Sequence, residues 1–364
     1  MNHLERIVVL YQKADIAFQK HLNEKSEHWK RYFNDTNKFS DMENIKNFRR
    51  SLSNGLDDSN PSFSFKVFMD VINELGENFV FNNLSTKNVG NCEHAYRLKG
   101  RFVDYNELIH IHWYKDLVEN VFNKKDVQIV CEIGGGYGSL ARIILNNHNC
   151  KFISIDLPEA NLLTSYYLKE SLPSNKRFYL YDDFLNEQDG YVSIESINNY
   201  DIFILPPWAK YDNGLKVDLF INTRSMMEMN VDVIKMYFDF IHKYISNDGF
   251  FLDNNRYIKY SKGDGYPIRF CDYPYDKNWD VIKSKKAYKQ NHMHFLITQR
   301  KFEDFSCNIR DEIDNIKAET KKYADSLLEK ETPLKKVIME TTRKTLIFVF
   351  GKRFLRMVGK KLID

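Results

Sequence analysis

Glu132-Ile-Gly-Gly-Gly-Tyr-Gly138 sets a carboxylate two residues ahead of four glycines in five positions. The residues before it, Gln128-Ile-Val-Cys-Glu-Ile133, read as a short apolar strand, and Lys151-Phe-Ile-Ser-Ile-Asp-Leu-Pro158 reads as a second strand that ends on Asp156. A carboxylate at the tip of the first strand suits a ligand with an ammonium group better than one with a pyrophosphate. Gly134, Gly135, Gly136 and Gly138 let the backbone approach such a ligand without a Cβ in the way, and the helix that starts after Tyr137 attracts an anionic end. Asp156, with Leu157 beside it, stands where a carboxylate accepts hydrogen bonds from both hydroxyls of a ribose.

An amino acid joined to adenosine meets all of these demands, and S-adenosylmethionine is that molecule. Gly136-Tyr-Gly-Ser-Leu-Ala141 also satisfies the relaxed dinucleotide pattern, so an NAD enzyme stays open as the alternative. Farther along, Leu205-Pro-Pro-Trp208 is similar to the catalytic tetrapeptide of amino-methylating DNA enzymes, but Leu205 cannot hold an exocyclic amine. The expectation is instead that Pro207 and Trp208 end a third strand and wall the adenine. A fourth strand, Val217 to Asn222, brings Asn222 and Glu228 toward the reacting centre.

Methyl transfer to a hydroxyl needs the acceptor oxygen aligned and gains from a general base. In the methyltransferase sheet that the resemblance given below implies, the last strand is antiparallel and its start lies beside the end of the fifth. This brings His292 and His294 near Asp253, Asn254 and Arg256 and makes Glu228, His292 and Asp253 the catalytic candidates. His292 and His294 share one strand face, so one can serve as base while the other packs.

The elements needed to position these residues follow from periodicity. Leu4, Ile7, Val8, Tyr11, Ala14 and Phe18 have helical spacing, and Asp104 caps a helix expected from Tyr105 to Val121, so residues 1–119 read as a helical N-terminal cap. Residues 120–301 alternate strands with helices, which makes an α/β domain with a mostly parallel sheet covered on both faces. Residues 302–364 read as a charged helical extension, and its tail 343–364 mixes basic with large apolar residues. That tail suits an anionic membrane surface, or packing on the domain or on a second subunit of a homo-oligomer.

Composition limits the alternatives. A net charge of +3, with no basic stripe interleaved with aromatics, argues against a nucleic-acid partner. Cys92, Cys131, Cys150, Cys271 and Cys307 are scattered without C-x-x-C spacing, so neither a disulfide framework nor a zinc site is expected. The start of the chain has no signal-peptide pattern and no apolar run is long enough to span a bilayer, so a cytoplasmic location, with or without a peripheral contact at the inner membrane face, is expected.

Glu132-Ile-Gly-Gly-Gly-Tyr-Gly-Ser-Leu-Ala141, Ile155-Asp-Leu-Pro-Glu-Ala-Asn-Leu-Leu163 with Tyr166-Tyr-Leu168, and Asp218-Leu-Phe-Ile-Asn-Thr-Arg-Ser-Met-Met-Glu-Met229 together resemble the sugar O-methyltransferases of bacterial surface-polysaccharide clusters. The likeness covers roughly 85–300. It implies the Rossmann-like class I methyltransferase sheet and S-adenosylmethionine bound through Glu132, the glycines, Asp156 and Asn222. It also implies transfer to a sugar hydroxyl, on a nucleotide sugar, a lipid-linked glycan or a polymer. A noncatalytic scaffold in a glycan-assembly complex is the other reading. Asp253-Asn254 is similar to the metal-binding pair of divalent-metal catechol-type methyltransferases, but Asn222 stands where a further carboxylate belongs, and no metal is assigned.

Overall fold

The computed structural model describes residues 3–18, 41–51, 61–187, 190–260, 267–301 and 308–326. The basic tail 343–364, with its expected membrane contact, lies outside the described residues.

The central strands are short and apolar along their whole length, the composition of strands covered on both faces. They are β1 (Ile129–Ile133), β2 (Lys151–Ile155), β3 (Ile202–Leu205) and β4 (Val217–Thr223), followed by the longer β5 (Ile245–Arg256), β6 (Trp279–Ala287) and β7 (Gln290–Arg300). Their order across the sheet is β6-β7-β5-β4-β1-β2-β3, with a two-residue strand, Phe178–Tyr179, added at the β3 edge. From β5 to β3 every pairing is parallel; β7 runs antiparallel to β5 and to β6. The chain order reverses between β1 and β4, and a sheet of this type opens its ligand crevice at the carboxyl ends of the strands at such a point. The fold is Rossmann-like α/β, with the last strand antiparallel as expected.

Helices cover both faces and contribute to the same buried apolar cluster as the sheet. Before the sheet come α1 (His3–Phe18), α2 (Pro61–Leu75), α3 (Glu77–Asn83) and α4 (Tyr105–Leu117); α5 (Ser139–Asn147), α6 (Pro158–Ser171) and α7 (Val231–Tyr244) lie between strands, and a last helix, α8, spans 309–326. α4 starts where Asp104 accepts a hydrogen bond from the Glu107 amide and passes into a π-helical turn at Val118–Phe122. α1 packs on α6.

Cross-strand register assigns the faces. Lys285, Phe295 and Asn254 are successive partners across β6, β7 and β5, and Lys285 Nζ lies 2.6 Å from Asp116 Oδ2 of α4. Asn254 therefore points toward α4. Asp253, one residue earlier, points toward α7, where Tyr275, packed on Phe238, donates to it.

Three local features are not announced by the sequence pattern. Tyr96–Leu98 pairs with Arg101–Val103 in a hairpin whose turn has positive φ at Lys99 and Gly100. The strand at Phe178–Tyr179 has only two residues, because the chain turns helical at Tyr181. β6 was not read as a strand; its Lys283-Ser284-Lys285-Lys286 run hides a segment whose charges are met by Asp116 of α4 and Glu319 of α8.

Candidate functional site

Glu132, one residue before the end of β1, is almost fully buried, and its Oε2 has no hydrogen-bond partner among the described residues. Burial first, and then the charge of Asp156, push its pKa up to about 8. A carboxyl group shut away without a partner is unfavourable unless something arrives to bond it, and a cationic donor relieves it best.

The glycine loop is fitted around this group. A Cβ on Gly135 would stand 2.4 Å from Glu132 Oε2, so only glycine leaves the carboxyl where it is. Gly134 has φ of +71°, and a Cβ there would meet Ser225 Oγ at 2.1 Å. Thr164 of α6 donates to the Gly136 carbonyl and fixes the loop from the other side. Asp156 closes the crevice at the tip of β2, its Oδ2 accepting from the Gly136 amide at 3.0 Å and its Oδ1 from the Leu157 amide at 2.7 Å. It is partly exposed, and a carboxylate has lone pairs left for two further donors. Desolvation nevertheless raises its pKa to about 7 against those two amides.

Several expected contacts are placed elsewhere. Tyr137 is buried among Phe48 at 5.3 Å, Tyr167 at 4.9 Å and the Arg49 guanidinium at 5.2 Å, so its ring anchors the loop to the helices rather than facing a ligand. Asn222 is fully buried: its Nδ2 donates to Ile133 O and Ser225 Oγ, and its Oδ1 accepts from Met226 N and Asn255 Nδ2. With its amide used in this way, Asn222 ties strand tips together and is corrected from ligand contact to support. Trp208 stacks on Phe18 of α1 at 5.5 Å and meets Tyr181 edge-on, which joins the Pro207-Trp208 turn to the N-terminal helix.

The three catalytic candidates do not converge. Asp253 is fully buried on the α7 side, held by Asn255 Nδ2 at 2.6 Å and the Tyr275 hydroxyl at 2.9 Å, with its pKa raised to about 7 by burial. This corrects its expected role as a reacting group. Glu228 is ion-paired with Lys259. His292 is half-buried, and burial, Arg256 and Arg224 together lower its pKa, so at neutral pH it is a neutral imidazole able to take a proton. His294 is occupied, meeting Ser284 at 3.0 Å and the Tyr257 hydroxyl at 3.3 Å.

Two residues beside the site were not among the site candidates of the sequence reading, where Asn254 entered only as half of a metal-type pair. Asn254 is fully buried on the α4 side, and neither end of its amide has a hydrogen-bond partner among the described residues. Through the register Glu132↔Ile221↔Leu252 it shares a face with Glu132, two residues farther toward the strand ends. Arg224, in the left-handed region with φ of 64°, gives its backbone N–H to the Asn254 carbonyl at 2.8 Å. Its signal in the sequence was only its place after the tip of the fourth strand. Among the described residues no cluster of His, Cys, Asp and Glu could hold a metal, and no helix is long and apolar enough to cross a membrane.

No family model matches the sequence, and no curated protein matches it. Among solved structures the chain is similar to the N-methyltransferase NodS from Bradyrhizobium japonicum WM9 in complex with S-adenosyl-l-homocysteine, at 9% identity over 54% of this chain and 88% of that one, with a TM-score of 0.34. It is also similar to the mitomycin 7-O-methyltransferase MmcR, at 13% identity over 54% and 57% of the two chains and a TM-score of 0.33. The pyocyanin biosynthetic protein PhzM gives 10% identity over 54% and 55%, with a TM-score of 0.33. The strand order, with β7 alone reversed relative to β5, is that of a Rossmann-like α/β sheet.

Proposed function

We propose that the chain is an S-adenosylmethionine-dependent O-methyltransferase whose acceptor is a sugar hydroxyl of a bacterial surface glycan. The carrying observation is the buried Glu132 carboxyl with its unpartnered Oε2 under a glycine loop that leaves it no other room. The ligand's ammonium pairs with Glu132 and its ribose hydroxyls donate to Asp156. The bound sulfonium supplies an activated methyl group. His292 takes the proton of the acceptor hydroxyl, its lowered pKa keeping the ring neutral at pH 7. The sugar acceptor is supported by the motif resemblance at 132–141, 155–168 and 218–229.

Titration calorimetry with S-adenosylhomocysteine and with NAD tests the donor, and the first should bind while the second does not. Glu132→Gln should weaken S-adenosylhomocysteine by about tenfold or more, because an amide cannot pair with an ammonium. Tight NAD binding, or equal affinity in the variant, would overturn the donor assignment. Mass spectrometry of surface glycans from cells carrying Asp156→Ala tests the acceptor, and glycans that keep every methyl group would remove it.

A further inference from the structure

Three guanidinium groups converge on His110. Burial, followed by the charges of Arg224, Arg49 and Arg142, pushes the pKa of that imidazole well below its ordinary value. Two of the three cations are matched by a carboxylate inside the fold, Arg49 by Asp104 at 3.0 Å and Arg142 by Glu107 at 2.5 Å. Arg224 is not. Its Nη1 reaches only the neutral Asn106 Oδ1, at 3.3 Å, and its guanidinium lies 4.9 Å from the centroid of the Trp113 ring. Nε and Nη2 are buried and bond to nothing among the described residues. The charged neighbour from β5 is Arg256, which adds positive potential instead of cancelling it, and His292 of β7 is neutral.

A buried cation with two open donors is costly unless an anion meets it. The left-handed backbone at Arg224 is a second cost, and strain of this kind collects at ligand sites. The next residue, Ser225, fills the space over Gly134, while Arg224 stands beyond it with Trp113, Asn106 and the unpartnered Asn254 amide. This is the side of the crevice toward β5 and His292, where the reading above seats the acceptor.

Resting on that reading, we propose that the acceptor carries an anionic group, a carboxylate or a phosphate, and that Arg224 receives it through Nε and Nη2, the fork that matches an oxyanion bidentately. Asn254 offers one amide N–H and one carbonyl to the neighbouring sugar hydroxyls. A neutral sugar would leave the guanidinium unpaired, so the site selects charged acceptors such as uronates or sugars on a phosphate carrier.

The test is calorimetry on the full chain saturated with S-adenosylhomocysteine, using methyl glucuronoside, inorganic pyrophosphate and neutral methyl glucoside as probes. At least one anion should bind about tenfold or more tightly than the neutral glycoside, more weakly as salt rises. Arg224→Gln should abolish that preference, and Arg224→Lys, which keeps the charge but not the fork, should restore part of it. Pyrophosphate binding without glucuronoside binding assigns a phosphate carrier, and the converse assigns a uronate. An anion preference unchanged in Arg224→Gln would overturn the proposal, as would its absence from the native chain. So would a variant that loses S-adenosylhomocysteine yet keeps 5′-methylthioadenosine, since Arg224 would then hold the donor's own carboxylate. If the native chain binds no S-adenosylhomocysteine, the donor reading fails by itself, and the anion titrations on the unloaded chain still decide the role of Arg224.

Discussion

At the scale of single residues, the site depends on a hydrogen atom where every other amino acid has a carbon. Gly135→Ala puts a methyl group 2.4 Å from Glu132 Oε2, so either the carboxyl or the loop must move. The expected outcome is a loss of S-adenosylhomocysteine affinity of about tenfold or more in calorimetry, with a stability cost of about 1–3 kcal/mol by urea denaturation, the usual range for overpacking. The placing of Glu132, the glycines and Asp156 at one edge was legible in the sequence because it is set by local spacing along one strand–loop–helix–strand run. Asn222 and Asp253 were not, because what engages them comes from far along the chain: Ile133 and Asn255 for the first, Tyr275 for the second. Arg224 was overlooked, and Asn254 was noted only as half of a metal-type pair, for a related reason. What marks them is an unmet bonding capacity, and that is visible only once their neighbours are placed.

At the scale of elements, one buried ion pair joins α4 to the helix that follows the glycine loop, and a second ties the cap of α4 to the chain before it. Arg142 of α5 pairs with Glu107 of α4, and Arg49 pairs with Asp104, the cap of α4. Glu107 also accepts from the Ser85 amide, and burial raises its pKa to about 7. Glu107→Ala would leave Arg142 buried without its counter-charge, and the expected loss of stability is about 3–5 kcal/mol by urea denaturation, far more than an exposed pair costs. Lys99→Ala, which removes the exposed pair with Glu77, should change stability by about 1 kcal/mol or less. The parallel core strands were readable as continuous apolar runs. β6 was not, because its lysines face carboxylates of α4 and α8 that no local pattern announces.

At the scale of the whole molecule, titration couples the site to the fold. Glu132, Asp156 and Asp253 have pKa values raised to between about 7 and about 8, chiefly by burial. The native chain therefore holds protons that the unfolded chain has released, and stability falls as pH rises from the ordinary carboxyl range to about 8. The histidines with lowered values, among them His110, His292 and His294, oppose this trend, chiefly below about 6.5, where the unfolded chain still binds their protons. Urea midpoints measured from pH 6.5 to pH 8 should decline, by up to about 1.4 kcal/mol per pH unit for each carboxyl still protonated in the native chain. Saturating S-adenosylhomocysteine should flatten the decline by the share of Glu132, since its ammonium stabilises the ionised carboxylate.

The side chain of Asn222 reaches the β1 carbonyl at Ile133, the amide of Asn255 on β5 and the backbone at Met226, all from β4. A clasp of this kind makes the floor of the crevice stiff. Any opening that admits or releases a ligand then falls to the contacts above it, where Phe18 of α1 meets Trp208 and Arg49 meets Tyr137. Ligand preference can thus diverge by exchanging residues there and around Arg224, while the clasp holds the strand tips in register.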